Sequence, residues 1–122
     1  TLEVIANARI KQNISISDIM ACGITNQRET AMVWNRKTGK PYYNAIVWQD
    51  TRVGKKVDEL EKSIGSDWFK EKTGLPLATY FSGLKIQWIL ENVAGVREAA
   101  EKGEAVFGNM DTYTVWHLTG GI

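Results

Sequence analysis

Gly23-Ile24-Thr25-Asn26-Gln27-Arg28-Glu29-Thr30 decides how this chain is read, because an apolar run enters it and a dense set of hydrogen-bonding side chains leaves it. The run Ile19-Met20-Ala21-Cys22-Gly23-Ile24 is too short for a lone helix and is followed by turn formers, so it predicts a buried strand of an α/β sheet. In open α/β sheets ligands sit beyond the carboxyl ends of such strands, which puts Asn26, Gln27, Arg28 and Glu29 at a candidate site. An Arg beside a Glu offers a fork of fixed donors next to a pure acceptor, a combination suited to a polyhydroxylated ligand. Adjacent charges are more often a solvated surface pair, and that reading stands beside the first.

Size and charge narrow the classes. The 122 residues make about one domain, enough for a modest core but short for a two-lobed enzyme, so a piece of a larger protein is expected. Hydrophobic residues at 43% and charged residues at 24% describe a folded globular chain rather than a disordered one. Lys plus Arg number 15 against 14 for Asp plus Glu, so no basic field points to nucleic acid or to anionic lipid. The single Cys22 has no internal partner, reads as a buried structural thiol and fits a reducing compartment. With no apolar run approaching a membrane span and no signal-peptide order at the start, a cytoplasmic location is expected.

From the N-terminus, Leu2, Ile5, Ala6, Ala8 and Ile10 carry a helix-like spacing over Thr1 to Gln12 that starts without a methionine and reads as cut in mid-element. Residues 13–18 read as a connector with Ile14 and Ile16 tucked inward. Thr30 to Asn35 alternates as a strand, Arg36 to Lys40 supplies a Gly-containing turn, and Tyr43 to Val47 would be the return strand of a hairpin, with Pro41 at its margin. Val53, Val57, Leu60 and Ile64 form one apolar stripe on a charged helix over Asp50 to Ser63, with Asp50 the candidate cap. Ser66 can cap a short helix to Lys72 that Gly74 stops. Further helices are expected over Ser82 to Glu91, Val96 to Lys102, and from Asp111 to Thr119, with a small strand at Val106-Phe107. His117 has no His or Cys at metal-ligand spacing and is not a ligand candidate.

Several motifs share one order with a known family. Gly23 to Thr30, Val33-Trp34, Thr38-Gly39-Lys40-Pro41, Asn44-Ala45-Ile46-Val47-Trp48-Gln49, Thr73-Gly74-Leu75-Pro76, Tyr80-Phe81-Ser82-Gly83 with Lys85, and Phe107-Gly108 with Asp111-Thr112 are collinear over nearly the whole chain. In this the chain resembles the FGGY carbohydrate kinases, and at residues 26–30 the glycerol-phosphorylating branch in particular.

The resemblance implies an α/β fold: part of a ribonuclease-H-like lobe, as in actin and hexokinase, with a mixed sheet and flanking helices. Residues 1–122 would be an internal piece of the N-terminal, substrate-binding domain, and its sheet would have an exposed edge. It implies a parent enzyme that passes the γ-phosphate of ATP, with Mg2+, to glycerol, giving glycerol 3-phosphate and ADP. Arg28 and Glu29 match the substrate-gripping pair, Tyr80 a tyrosine at another hydroxyl, and Trp48 an aromatic wall against the carbon backbone. From the residues alone, Trp48 and Tyr80 read equally as packing, Asn26 and Gln27 as local backbone partners, and Thr30 as structural. The phosphate-binding segment and the catalytic base lie outside the matched stretch in the family, so the piece is expected to be inactive alone, with no catalytic, cofactor or metal residue of its own. The full-length enzyme would be a homo-oligomer with no nucleic-acid or membrane partner. An FGGY kinase for another small polyol or sugar, or a binding module without catalysis, are the alternatives.

Overall fold

The structure is a computed structural model and describes residues 1–121; Ile122 lies outside the described residues. Strand β1, Met32–Asn35, is the organising element, since Ala31, Met32, Val33 and Trp34 are all buried. It pairs antiparallel with β2, Ala105–Gly108, in the register Met32 with Gly108 and Trp34 with Val106. Around them the chain forms α1 (Leu2–Gln12), a 3-10 turn (Ile16–Asp18), α2 (Gly54–Ile64), α3 (Lys70–Thr73), α4 (Ser82–Asn92), α5 (Val96–Glu101) and α6 (Met110–Thr119). The α/β class and the helices from α4 onward agree with the sequence reading.

Alternation along β1 divides the interior. Val33 belongs to a cluster with Ile46, Ile89 of α4 and Val96 of α5, all at most 2% exposed. Trp34 faces the other way, edge-on to Tyr113 and Trp116 of α6 at ring-centroid distances of 5.1 and 6.5 Å. One strand thus joins two packed layers, an economical use of its two faces. Tyr113 donates its hydroxyl to the Gly39 carbonyl at 2.9 Å, which docks α6 onto the turn after β1.

Gly39 shows how tight this dock is. Its φ is +70°, and a Cβ there would lie 2.5 Å from Cζ3 of Trp116 and 2.9 Å from Cε1 of His117. Gly74, at φ +74°, closes α3 with nothing among the described residues within 4 Å of the same position. Gly74→Ala should therefore cost only the left-handed backbone penalty of about 1–2 kcal/mol. Gly39→Ala adds overpacking of about 1–3 kcal/mol, so its unfolding midpoint should fall clearly further in thermal denaturation of the full-length protein.

Four sequence expectations are corrected. Residues 19–24 form no strand: Met20 is 91% exposed, Ile19 and Ile24 stand exposed, and Cys22 is an exposed thiol rather than a buried one. A short apolar run becomes a strand only where another strand pairs with it, and among the described residues none does. Ile14 and Ile16 are likewise exposed rather than tucked in. The return of the hairpin is not a strand either; it touches β1 at two single bridges, Trp34 with Pro41 and Ala31 with Ile46. Between them Tyr43 packs on Trp88 at 5.5 Å instead of continuing the ladder, and the regular partner of β1 is β2. Finally, Asp50 and Ser66 are not the expected caps, because α2 opens after Val53 and α3 after Phe69, neither with a side-chain cap.

Candidate functional site

The polar stretch folds into a four-residue turn. Thr30, 2% exposed, donates its N–H to the Gln27 carbonyl at 3.0 Å and its hydroxyl to Gln27 Oε1 at 2.9 Å. This double closure puts Arg28 and Glu29 at the two central positions, where side chains leave the turn outward. Gln27 and Thr30 serve the turn itself, as the local reading had it. Asn26 keeps a buried Oδ1 with no partner among the described residues.

Arg28 and Glu29 do not pair with each other. Arg28 is exposed and makes no hydrogen bond or ion pair among the described residues. Glu29 is half-buried and its Oε2 accepts from the N–H and the hydroxyl of Ser82, at 3.3 and 3.1 Å. A carboxylate 53 residues away thus occupies the N-terminus of α4, whose own cap position, Phe81, supplies none. The arrangement is favourable because the first N–H groups of a helix attract negative charge. Oε1 of Glu29 is left as a free acceptor among the described residues.

Lys85 completes the join. It is fully buried, and its Nζ donates to the carbonyl of Glu29 at 3.2 Å and to that of Tyr80 through a short bond. Burial pushes its ammonium below the ordinary value of 10.5, opposed by the charges of Glu29 and Asp50. Tyr80 in turn stands edge-on to Trp48 with ring centroids 5.6 Å apart, and both rings are partly open to solvent, at 42% and 38%. Neither is a core residue here. The four candidates therefore fall into a turn carrying Arg28 and Glu29 and an aromatic pair, Trp48 and Tyr80, with Lys85 tying Glu29 to Tyr80.

Arg52 braces the adjoining segment. Its guanidinium lies 4.5 Å from the Trp88 ring centroid and 5.7 Å from that of Tyr43, while Nε and Nη2 each reach an Asp50 oxygen at 2.8 Å. That hydrogen bond to Arg52 holds the Asp50 carboxyl below its ordinary value of 3.8. A depressed acid contributes stability that is present above 3.8 and is lost as pH falls through the folded value. The pair lies at the surface, its side chains 30% and 20% exposed, so about 0.2–1 kcal/mol is at stake. Urea midpoints of wild type and Asp50→Asn should differ at neutral pH and converge on acidification below 3.8.

Sequence reasoning named Ser82 and Lys85 only as parts of a family motif and gave them no role at the site. A signal for the lysine existed: it lies one helical turn before Ile89, on the face that enters the core. Nothing in the sequence announced that Glu29 would serve α4, because that contact spans the fold.

A family model described as the FGGY family of carbohydrate kinases, N-terminal domain, matches residues 1–122. The chain belongs to the FGGY family of carbohydrate kinases. A glycerol kinase of Pseudarthrobacter chlorophenolicus is 64% identical over 122 residues, covering all of this chain and 24% of that protein. One from Saccharopolyspora erythraea is 62% identical over 121 residues, again over 24% of its length. The chain thus spans about a quarter of the curated relatives that it matches. Among solved structures, Plasmodium falciparum glycerol kinase with ADP superposes with a TM-score of 0.85 at 42% identity, over 95% of this chain and 23% of that one. That match gives this FGGY chain part of the actin- and hexokinase-like fold of its relative.

Proposed function

We propose that this FGGY chain is the glycerol-gripping part of an ATP-dependent glycerol kinase, within its N-terminal substrate-binding domain. The observation that carries the reading is the set of open groups around one join: Arg28 and Oε1 of Glu29, both without a partner among the described residues, and the partly exposed Trp48–Tyr80 pair. Guanidinium donors and a carboxylate acceptor bracket neighbouring hydroxyls, Tyr80 can donate or accept at a third, and the Trp48 ring covers the carbon chain. Glycerol kinases as relatives at 62–64% identity support glycerol over other polyols.

In this reading Arg28, Glu29, Trp48 and Tyr80 hold the alcohol still so that one hydroxyl meets the γ-phosphate. Positioning of that kind supplies much of the rate in phosphoryl transfer. Among the described residues no three of His, Cys, Asp or Glu come together as an ion site. Nucleotide, Mg2+ and the base that orients the hydroxyl are assigned to segments outside residues 1–122. The test is ATP-dependent phosphorylation by the full-length protein, with glycerol against a pentulose. A kcat/KM for glycerol well above that for the pentulose is expected; the reverse order would overturn the choice of substrate.

A further inference from the structure

We propose that Lys85 and Ser82 act as a positioning clamp that fixes Glu29 relative to Tyr80, and thereby sets the affinity for the polyol without touching it. The inference rests on the glycerol-site reading above and extends it to two residues of α4. Its basis is geometric. One ammonium bonds the main-chain carbonyls of Glu29 and Tyr80, 51 positions apart in sequence, and so fixes the spacing between the turn and the segment that presents the aromatic ring. Ser82 adds contacts to Glu29: its one hydroxyl proton is shared between the carbonyl at 3.3 Å and Oε2 at 3.1 Å, and its N–H donates to Oε2 at 3.3 Å. These restrain both the backbone of Glu29 and the rotation of its carboxylate. The free Oε1 can then point in few directions.

The cost of this arrangement argues for a purpose. A fully buried ammonium is expensive to desolvate and needs polar partners, and its loss leaves the two carbonyls that it serves without their donor. Lys85 has two carbonyls for its three donors, and the third finds no partner among the described residues. Ile89 lies one turn on along the same face, so methionine could fill the volume of Lys85 by packing alone. What methionine cannot do is hold two carbonyls at a set distance. Neither Lys85, which is sealed from solvent, nor the Ser82 hydroxyl, which is spent on Glu29, is free to bind the substrate, so their action runs through Glu29 and Tyr80.

The experiment is steady-state kinetics on the full-length protein, well below the unfolding midpoint, for Lys85→Met, Ser82→Ala and Ser82→Thr beside Glu29→Ala. Misplacement of a binding group by about 1 Å can cost 10²-fold, so Lys85→Met should raise the KM for glycerol about tenfold or more while the KM for ATP stays at the wild-type value. Ser82→Ala should shift it in the same direction by less, and Ser82→Thr, which keeps the hydroxyl, should restore it. A merely structural role would lower the unfolding midpoint and leave the glycerol KM alone. If Lys85→Met does not fold, Ser82→Ala decides: a wild-type glycerol KM in that variant overturns the clamp. If Glu29→Ala also binds glycerol normally, the site reading itself falls; if only Glu29→Ala loses glycerol, the clamp alone is wrong.

Discussion

In the full-length protein, Arg28→Ala and Glu29→Gln should each weaken glycerol binding by about 10- to 100-fold in isothermal titration, while the circular dichroism spectrum should stay that of wild type. The magnitude follows from removing one charge-assisted hydrogen bond, worth about 1.5–3 kcal/mol. Glutamine is chosen at position 29 because it keeps an acceptor for the N–H of Ser82 at the start of α4 while losing the charge. Arg28 has no partner to lose among the described residues, so its alanine variant should be as stable as wild type. The two variants therefore probe ligand contact with little structural disturbance.

The second large effect is on stability. Trp34 is 1% exposed and meets both Tyr113 and Trp116, so Trp34→Ala should cost about 3–5 kcal/mol and uncouple α6 from β1. Trp34→Phe should cost much less. Its indole Nε1 is buried without a partner among the described residues, so phenylalanine removes an unsatisfied donor along with part of the ring. Thermal unfolding of the two variants beside wild type checks both statements, and a Phe variant as unstable as the Ala variant would mean that the indole nitrogen has a role the packing does not explain.

What the sequence disclosed, and what it withheld, follows one physical line. The stripe Val53, Val57, Leu60 and Ile64 marked α2 because helical periodicity is local, and Gly74 and Gly120 marked helix ends because the left-handed conformation is local too. Pairing is not local. The run Ile19 to Ile24 has the composition of a buried strand, yet without a neighbouring strand among the described residues it lies exposed. Tyr43 to Val47 had the composition of a return strand, but Tyr43 leaves the ladder for Trp88, and β1 finds its regular partner in β2 some seventy positions on.

The candidate site divides in the same way. Residue types at 28 and 29 suggested donors and an acceptor, and family likeness added Trp48 and Tyr80, which the structure brings edge to edge. The means by which the fold holds Glu29 could not be read, since Ser82 and Lys85 reach it across more than fifty residues. A lysine on the inward face of α4, and the place of Ser82 and Lys85 in the family motif, were its traces in the sequence.

The measurement that bears most directly on the account is a crystal structure of the full-length protein grown with glycerol. Density for the polyol within hydrogen-bond distance of the Arg28 guanidinium and Glu29 Oε1, with its carbon chain against the Trp48–Tyr80 pair, is the predicted result. Glycerol bound elsewhere, with Arg28 and Glu29 still facing solvent, would contradict it and leave these residues as part of the scaffold.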